Sequence, residues 1–97
     1  MIYVKIHRAQ GDTILAACDE DVLGKTYSGN DMRITVSEKF YNGYLVSEEE
    51  FVDRMDDYTI MNLVGERVIA LAVENGHVSE DCIFEIGDVK HAQVVKL

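Results

Sequence analysis

The chain has no proline and no tryptophan, only two cysteines, and half as many Lys and Arg residues as Asp and Glu. With no proline, no repeat and no low-complexity segment to divide it, its 97 residues read as a single domain. At this length a chain hides roughly two-thirds of its unfolded surface, enough for one core without staples. Cys18 and Cys82 match no zinc or redox spacing and are too few for a disulfide scaffold. That usage suits a reducing compartment, with both thiols expected to pack as small hydrophobes. No apolar run approaches the ~20 residues of a membrane span. The opening "MIYVKIH" lacks a basic stretch ahead of a long apolar core, so no signal peptide is expected. The expectation is a cytoplasmic protein with no membrane association.

The scarcity of cations is uneven. Residues 1–46 carry five (Lys5, Arg8, Lys25, Arg33, Lys39) against six acids, a balance of −1. Residues 47–97 carry four (Arg54, Arg67, Lys90, Lys96) against twelve, a balance of −8. A duplex-binding protein clusters Lys and Arg to neutralise phosphates, so the overall −9 argues against that role. The nearly neutral first half leaves room for a local basic patch.

What is present reads as strands, then helices, then strands. Ile2, Val4 and Ile6 alternate with Tyr3, Lys5 and His7, the period of a half-buried strand. "QGD" turns the chain into a returning strand, "TILAAC". In "DEDVLGK", Asp19 is expected to cap a single helical turn that Gly24 ends in the left-handed conformation. "YSGND" reads as a loop, "MRITV" as a strand, and Asn42-Gly43 in "FYNGYLV" as a hairpin turn. Ser47 followed by Glu48, Glu49 and Glu50 is a capping box, with Val46 and Phe51 as its hydrophobic staple. The three carboxylates also suit the positive end of a helix dipole, and the spacing of Phe51, Met55 and Tyr58 predicts an amphipathic helix over 48–57. Ile60, Leu63, Val64, Val68, Leu71 and Ala72 trace a second helical face, stopped at Asn75-Gly76. "CIFEI" and "HAQVVK" are final strands joined at Gly87-Asp88. This order predicts an α+β two-layer sandwich, a mainly antiparallel sheet with two helices on one face.

Few constellations carry chemistry. "LGKT" (23–26) fails as a phosphate loop, because Asp19 stands where that pattern needs glycine; Gly24 then ends a turn and Lys25 lies on the surface. None of His7, His77 and His91 pairs with another ligand at a short metal-site spacing, so no metal and no cofactor is assigned. A nucleophilic Cys18 would need His91 folded back beside it, and its acidic neighbours oppose thiolate formation. His91 and Gln93 alternate along the last strand and would face one side, either as a solvated edge or as donors to a carbonyl, base edge or phosphate. "NLVGE" (62–66) has two readings. Either Gly65 lies inside a helix beginning at Thr59, or Asn62 is the N-cap and Gly65 opens the first turn. A ligand or the protein's own sheet would then approach Gly65.

Four segments in this order and spacing, "AACDEDVLGK", "FYNG", "NLVGE" and "HAQVV", resemble an archaeal family of small proteins, domain-of-unknown-function family 424. Cys18, Asp19, Gly24, Lys25, Phe40, Tyr41, Asn62, Gly65, Glu66, His91 and Gln93 carry the match, and Lys90 departs from it where proline is expected. The resemblance implies a small α+β protein with no particular activity, cofactor or substrate, and a link by gene context to translation or RNA handling. The function expected is a non-catalytic binding module with a protein or ribonucleoprotein partner, direct nucleic-acid binding being disfavoured by charge. Its candidate ligand-binding residues are Cys18, Asp19, Gly24, Lys25, Asn62, Gly65, Glu66, His91 and Gln93. The alternative is a small enzyme with a pocket near Cys18, Asp19, Asn62 and His91. The chain would be a monomer, or a homodimer joined through an unpaired last strand ending at Leu97.

Overall fold

A computed structural model describes residues 1–96. Strands β1 (Ile2–Ala9) and β2 (Asp12–Asp19) form the expected hairpin. Its two-residue turn works because Gln10 and Gly11 both take positive φ (51° and 84°), the backbone twist that suits a tight hairpin. A loop leads to a second hairpin, β3 (Thr26–Gly29) and β4 (Met32–Thr35), followed by the short helix α1 (Glu38–Tyr41). Next come β5 (Tyr44–Val46), α2 (Glu48–Arg54), β6 (Ile60–Val64) and α3 (Glu66–Glu74). A single 3-10 turn at Glu80–Cys82 precedes β7 (Phe84–Ile86) and β8 (Val89–Val95).

Six strands form one sheet in the order β5-β1-β2-β6-β8-β7. Every pairing is antiparallel except β2 with β6, which are parallel at the centre. One face carries Ile2, Val4, Leu15, Ala17, Met61, Leu63 and Ala92, covered by Phe51 of α2 and Met55 at its C-cap and by Val68, Ile69, Leu71 and Ala72 of α3. Each large side chain buried there is worth about 1.5–3 kcal/mol of transfer free energy. The other face carries Ala16, Cys18, Val64, Ile86 and Val89, partly covered by Val36, Tyr41 and the β3–β4 hairpin. The class is α+β with two helices on one face, and the small hairpin and α1 add partial cover on the reverse.

Several local expectations are corrected. The run from Ile60 is not the start of a long helix: 60–64 is the strand β6, and the helix begins only at Glu66. A central strand buried on both faces is largely apolar, so it imitates one face of a helix. "YSGND" holds the last three residues of β3 and a turn at Asn30-Asp31, both at positive φ (53° and 62°). Asn42-Gly43 turns the chain out of α1, not between two strands. Gly43 lies flat on β1, where a Cβ would run into the Val4 carbonyl oxygen. Ser47 does cap α2, its Oγ accepting from the Glu50 amide at 3.1 Å. The Glu50 carboxylate, however, turns to Arg54 (2.9 Å) and leaves the box half formed; α2 also stops at Arg54, short of 57. Cys82 is exposed, not packed inward. Strand β8 is not an edge, since β6 and β7 flank it, and Leu97 lies outside the described residues.

Helices α2 and α3 are tied across their first turns by Arg67, whose Nε donates to Glu48 Oε2 at 2.9 Å and whose Nη2 donates to Oε1 at 2.6 Å. This paired contact holds the Glu48 carboxyl below its usual range. A depressed carboxyl contributes stability above its ordinary pKa and loses it as pH falls through the lowered value. Both partners are solvent-exposed, so the effect is read better as a pKa than as a melting temperature. In a carboxyl NMR titration, Glu48 should titrate below the ordinary glutamate value in the wild type and return to it in Arg67→Ala. An unchanged Glu48 in the variant would show that the contact does not form in solution.

Candidate functional site

The candidate residues fall into three places. The first is the junction of β2, β6 and α3. Because β2 and β6 run parallel with Cys18 opposite Val64, the next residues, Asp19 and Gly65, lie side by side where both strands end. Asp19 does not cap a turn of its own with its carboxylate. It reaches across 48 residues of sequence to the start of α3, where Oδ2 accepts from the Arg67 amide at 2.9 Å. Its Oδ1 accepts from the Val68 amide, also at 2.9 Å. These are two of the amides that a helix leaves unpaired in its first turn. Gly65, at φ 127°, is the N-cap, and a Cβ on it would meet the Asp19 carboxyl carbon. Its own amide donates to the Lys90 carbonyl at 2.9 Å. What approaches Gly65 is therefore an internal carboxylate, occupying the place an external anion would take.

Asp19 is 93% buried by side-chain and backbone area together, its residual exposure being 7%. Burial pushes its carboxyl above the ordinary aspartate value, opposed by the amides of Arg67 and Val68. Glu66, the first residue of α3, is exposed, with Lys90 Nζ 3.5 Å from its carboxylate.

The second place is the reverse face of the sheet. Pairing puts Cys18, Val64 and His91 in one row, and Ala16, Asn62 and Gln93 in the next. Cys18 and His91 thus share a face, but Val64 stands between them and two strand spacings separate them by roughly 10 Å. Burial, and then the charges of Asp19 and Asp21, push the Cys18 thiol up to about 12. His91 Nδ1 lies 2.9 Å from the Leu63 carbonyl oxygen, which can only accept, so that nitrogen carries the proton. Asn62 Oδ1 accepts from the Tyr41 hydroxyl at 2.9 Å. Burial raises the Tyr41 phenol well above its ordinary value, keeping it a donor. Gln93 is exposed beside them.

The third place is the loop after β2. Gly24 takes φ 82° and ends the turn as expected, its amide donating to the Val36 carbonyl at 2.7 Å. Lys25 is exposed at the foot of β3. Among the described residues no cluster of three or more His, Cys, Asp or Glu side chains is arranged to hold a metal. Reasoning from sequence missed Arg67 and Lys90, whose backbone amide and carbonyl complete the junction. No side-chain pattern could signal either contact.

Fold and site together define a small α+β domain whose parallel strand pair is closed by an internal helix cap. The chain belongs to the family described as protein of unknown function (DUF424), whose model matches residues 7–97. It is similar to an uncharacterized conserved protein from Methanopyrus kandleri known from a crystal structure. That likeness has a TM-score of 0.77 at 27% identity, covering 99% of this chain and 93% of the other. Among curated proteins none matches it.

Two outcomes follow. Asp19→Ala strips the two α3 amides of their acceptor and should lower stability by about 2–3 kcal/mol, a fall in Tm of roughly 10–20 °C for a domain this size. Gly65→Ala should cost at least as much, from strain and from displacing the same carboxylate. The double variant should fall well short of the sum, because both changes break one interaction. Additive losses in thermal melts would sink the shared-interaction account. For the thiols, a disulfide reagent at pH 8 should modify the exposed Cys82 alone in the native chain and reach Cys18 only after denaturation. Rapid labelling of both would overturn the account of Cys18 as an inert, protonated thiol.

Proposed function

We propose that this chain is a non-catalytic binding module that presents the acidic surface of its helical layer to a basic protein or ribonucleoprotein partner. One observation carries the reading: a groove of about 520 Å³ between α2 and α3, with Val52 and Leu71 beside Glu48, Glu49, Asp53 and Glu74. Arg67 neutralises Glu48, which leaves Glu49, Asp53 and Glu74 facing outward. An apolar strip bounded by carboxylates suits an amphipathic segment rich in Lys or Arg. Complementary charge would speed its encounter with this strongly acidic chain.

The polar groups at the centre of the sheet support the same reading from the other side. The Asp19 carboxylate caps a helix, Asn62 holds Tyr41, and Cys18 is buried as a neutral thiol. Those roles are structural, and the thiol form of an enzyme would need Cys18 within hydrogen-bond reach of His91. The link to translation or RNA handling that the family resemblance implies makes basic ribosomal proteins the first partners to try.

The test is an amide NMR titration at low salt against a lysine-rich amphipathic peptide, a basic ribosomal protein and a single-stranded RNA oligomer. The expected result is shifts confined to residues 48–53 and 71–75 with the peptide and the protein. They should vanish at high salt and in the Glu49→Lys, Asp53→Lys double variant. No perturbation by any of the three would sink the proposal.

A further inference from the structure

The edge of β1 carries charge of the opposite sign. Strand β5 pairs with β1 only at Ile2, Tyr3 and Val4, so the outer side of β1 from Lys5 to Ala9 has no partner strand among the described residues. A groove of about 510 Å³ runs there, lined by Val4, Lys5, Ile6, Arg8, Gly43, Tyr44 and Arg54. The lining contains three of the chain's nine Lys and Arg residues and no carboxylate, in a protein of net charge −9. Glu50 pairs with Arg54 from outside the lining at 2.9 Å, and Lys5 Nζ donates one hydrogen bond to the Lys39 carbonyl. Arg8 and Arg54 lie on the helical side of the strand, beside the apolar Val4 and Ile6. Tyr44, paired with Val4, is 69% exposed.

We propose that this edge is a docking groove for an extended, acidic segment of a partner protein, added as a strand alongside β1 in line with β5. The groove follows a strand edge, with side chains of both faces in its lining. Its backbone therefore offers main-chain hydrogen bonds as well as charge, which is the geometry of strand addition. Cations on an open edge ordinarily discourage pairing with another strand. An acidic strand turns that repulsion into attraction. On the helical side of β1 only Arg8 is charged, beside the apolar Val4 and Ile6, and Arg54 joins it from α2. A segment whose acids stand at alternate positions gathers them on that one face, where they meet the two guanidiniums. Gly43, pressed flat on the β1 backbone just ahead of β5, has no side chain that would block the incoming strand.

This inference is independent of the groove between α2 and α3, because the two surfaces differ in position and in sign. The probes are a ten-residue peptide alternating Glu and Thr, a block peptide of the same composition, and a single-stranded oligouridylate of equal charge. Each is titrated into the isotopically labelled full chain. The alternating peptide should shift the amides of residues 4–8, 43–44 and 54. Its affinity should fall by about fivefold or more between 50 and 300 mM salt. Arg8→Glu and Arg54→Glu should each weaken it about fivefold or more, and Lys25→Glu, on the far loop, should not. Silence at these amides, equal binding of the block peptide, or tighter binding of the oligouridylate at the same residues would each overturn the proposal. The wild-type shift map and salt dependence decide it even if a variant fails to fold.

Discussion

The structure depends on the Asp19 carboxylate reaching the first turn of α3. A parallel pair at the centre of an otherwise antiparallel sheet needs a crossover, and here everything from residue 20 to 59 lies between β2 and β6. The two strands finish level only because Cys18 sits opposite Val64. Asp19 then closes the crossover from one side and Gly65 makes room from the other. With its first turn fixed to β2, α3 lies across the core through Val68, Ile69, Leu71 and Ala72. Arg67 and Glu48 hand that placement on to α2. One carboxylate at one strand end thus fixes where α3 begins, while α2 is seated by Phe51 in the core and linked to α3 by the exposed Arg67–Glu48 pair.

That interaction joins residues 48 and 49 positions apart, and nothing local announces it. Asp19 beside Gly24 looks like a self-contained turn, and the backbone of that turn does form. Its side chain goes elsewhere because two unpaired amides in a buried place outweigh a solvated turn. "NLVGE" was misleading for a related reason. Ile60, Leu63 and Val64 fit a helical stripe, but Met61 and Leu63 face one layer while Asn62 and Val64 face the other. Double-sided burial erases the period of two that made β1 legible. Conversely, β1, β2, the Ser47 cap, the Asn75-Gly76 stop and the shared face of His91 and Gln93 could be read directly, since each rests on alternation or on one capping residue. Turn chemistry was legible at Asn42-Gly43 but its flanks were not. The signal marks a reversal without saying that one arm is a helix.

The same packing bears on function. Among the described residues no buried side-chain nitrogen or oxygen lacks a partner. The polar residues that stand out in the sequence therefore complete the scaffold: Asp19 for α3, Asn62 for Tyr41, His91 for the Leu63 carbonyl. Burial likewise raises the Cys18 thiol and keeps it protonated in the same packed layer.

Charge in space does not follow charge along the chain. The acidic half of the sequence supplies the helical layer, yet Arg54, at the end of α2, turns back toward the β1 edge and joins Lys5 and Arg8 from the nearly neutral half. Folding thus divides a chain acidic overall into an acidic groove on the helices and a basic one at the sheet edge. A surface of one sign could arise simply from composition, since any face of a −9 chain tends to be negative. A local surplus of cations against that background needs placement by the fold. Arg54, brought from α2 to two cations that already share one strand, is such a placement, and the packing of Phe51 into the core is what sets α2 against that edge.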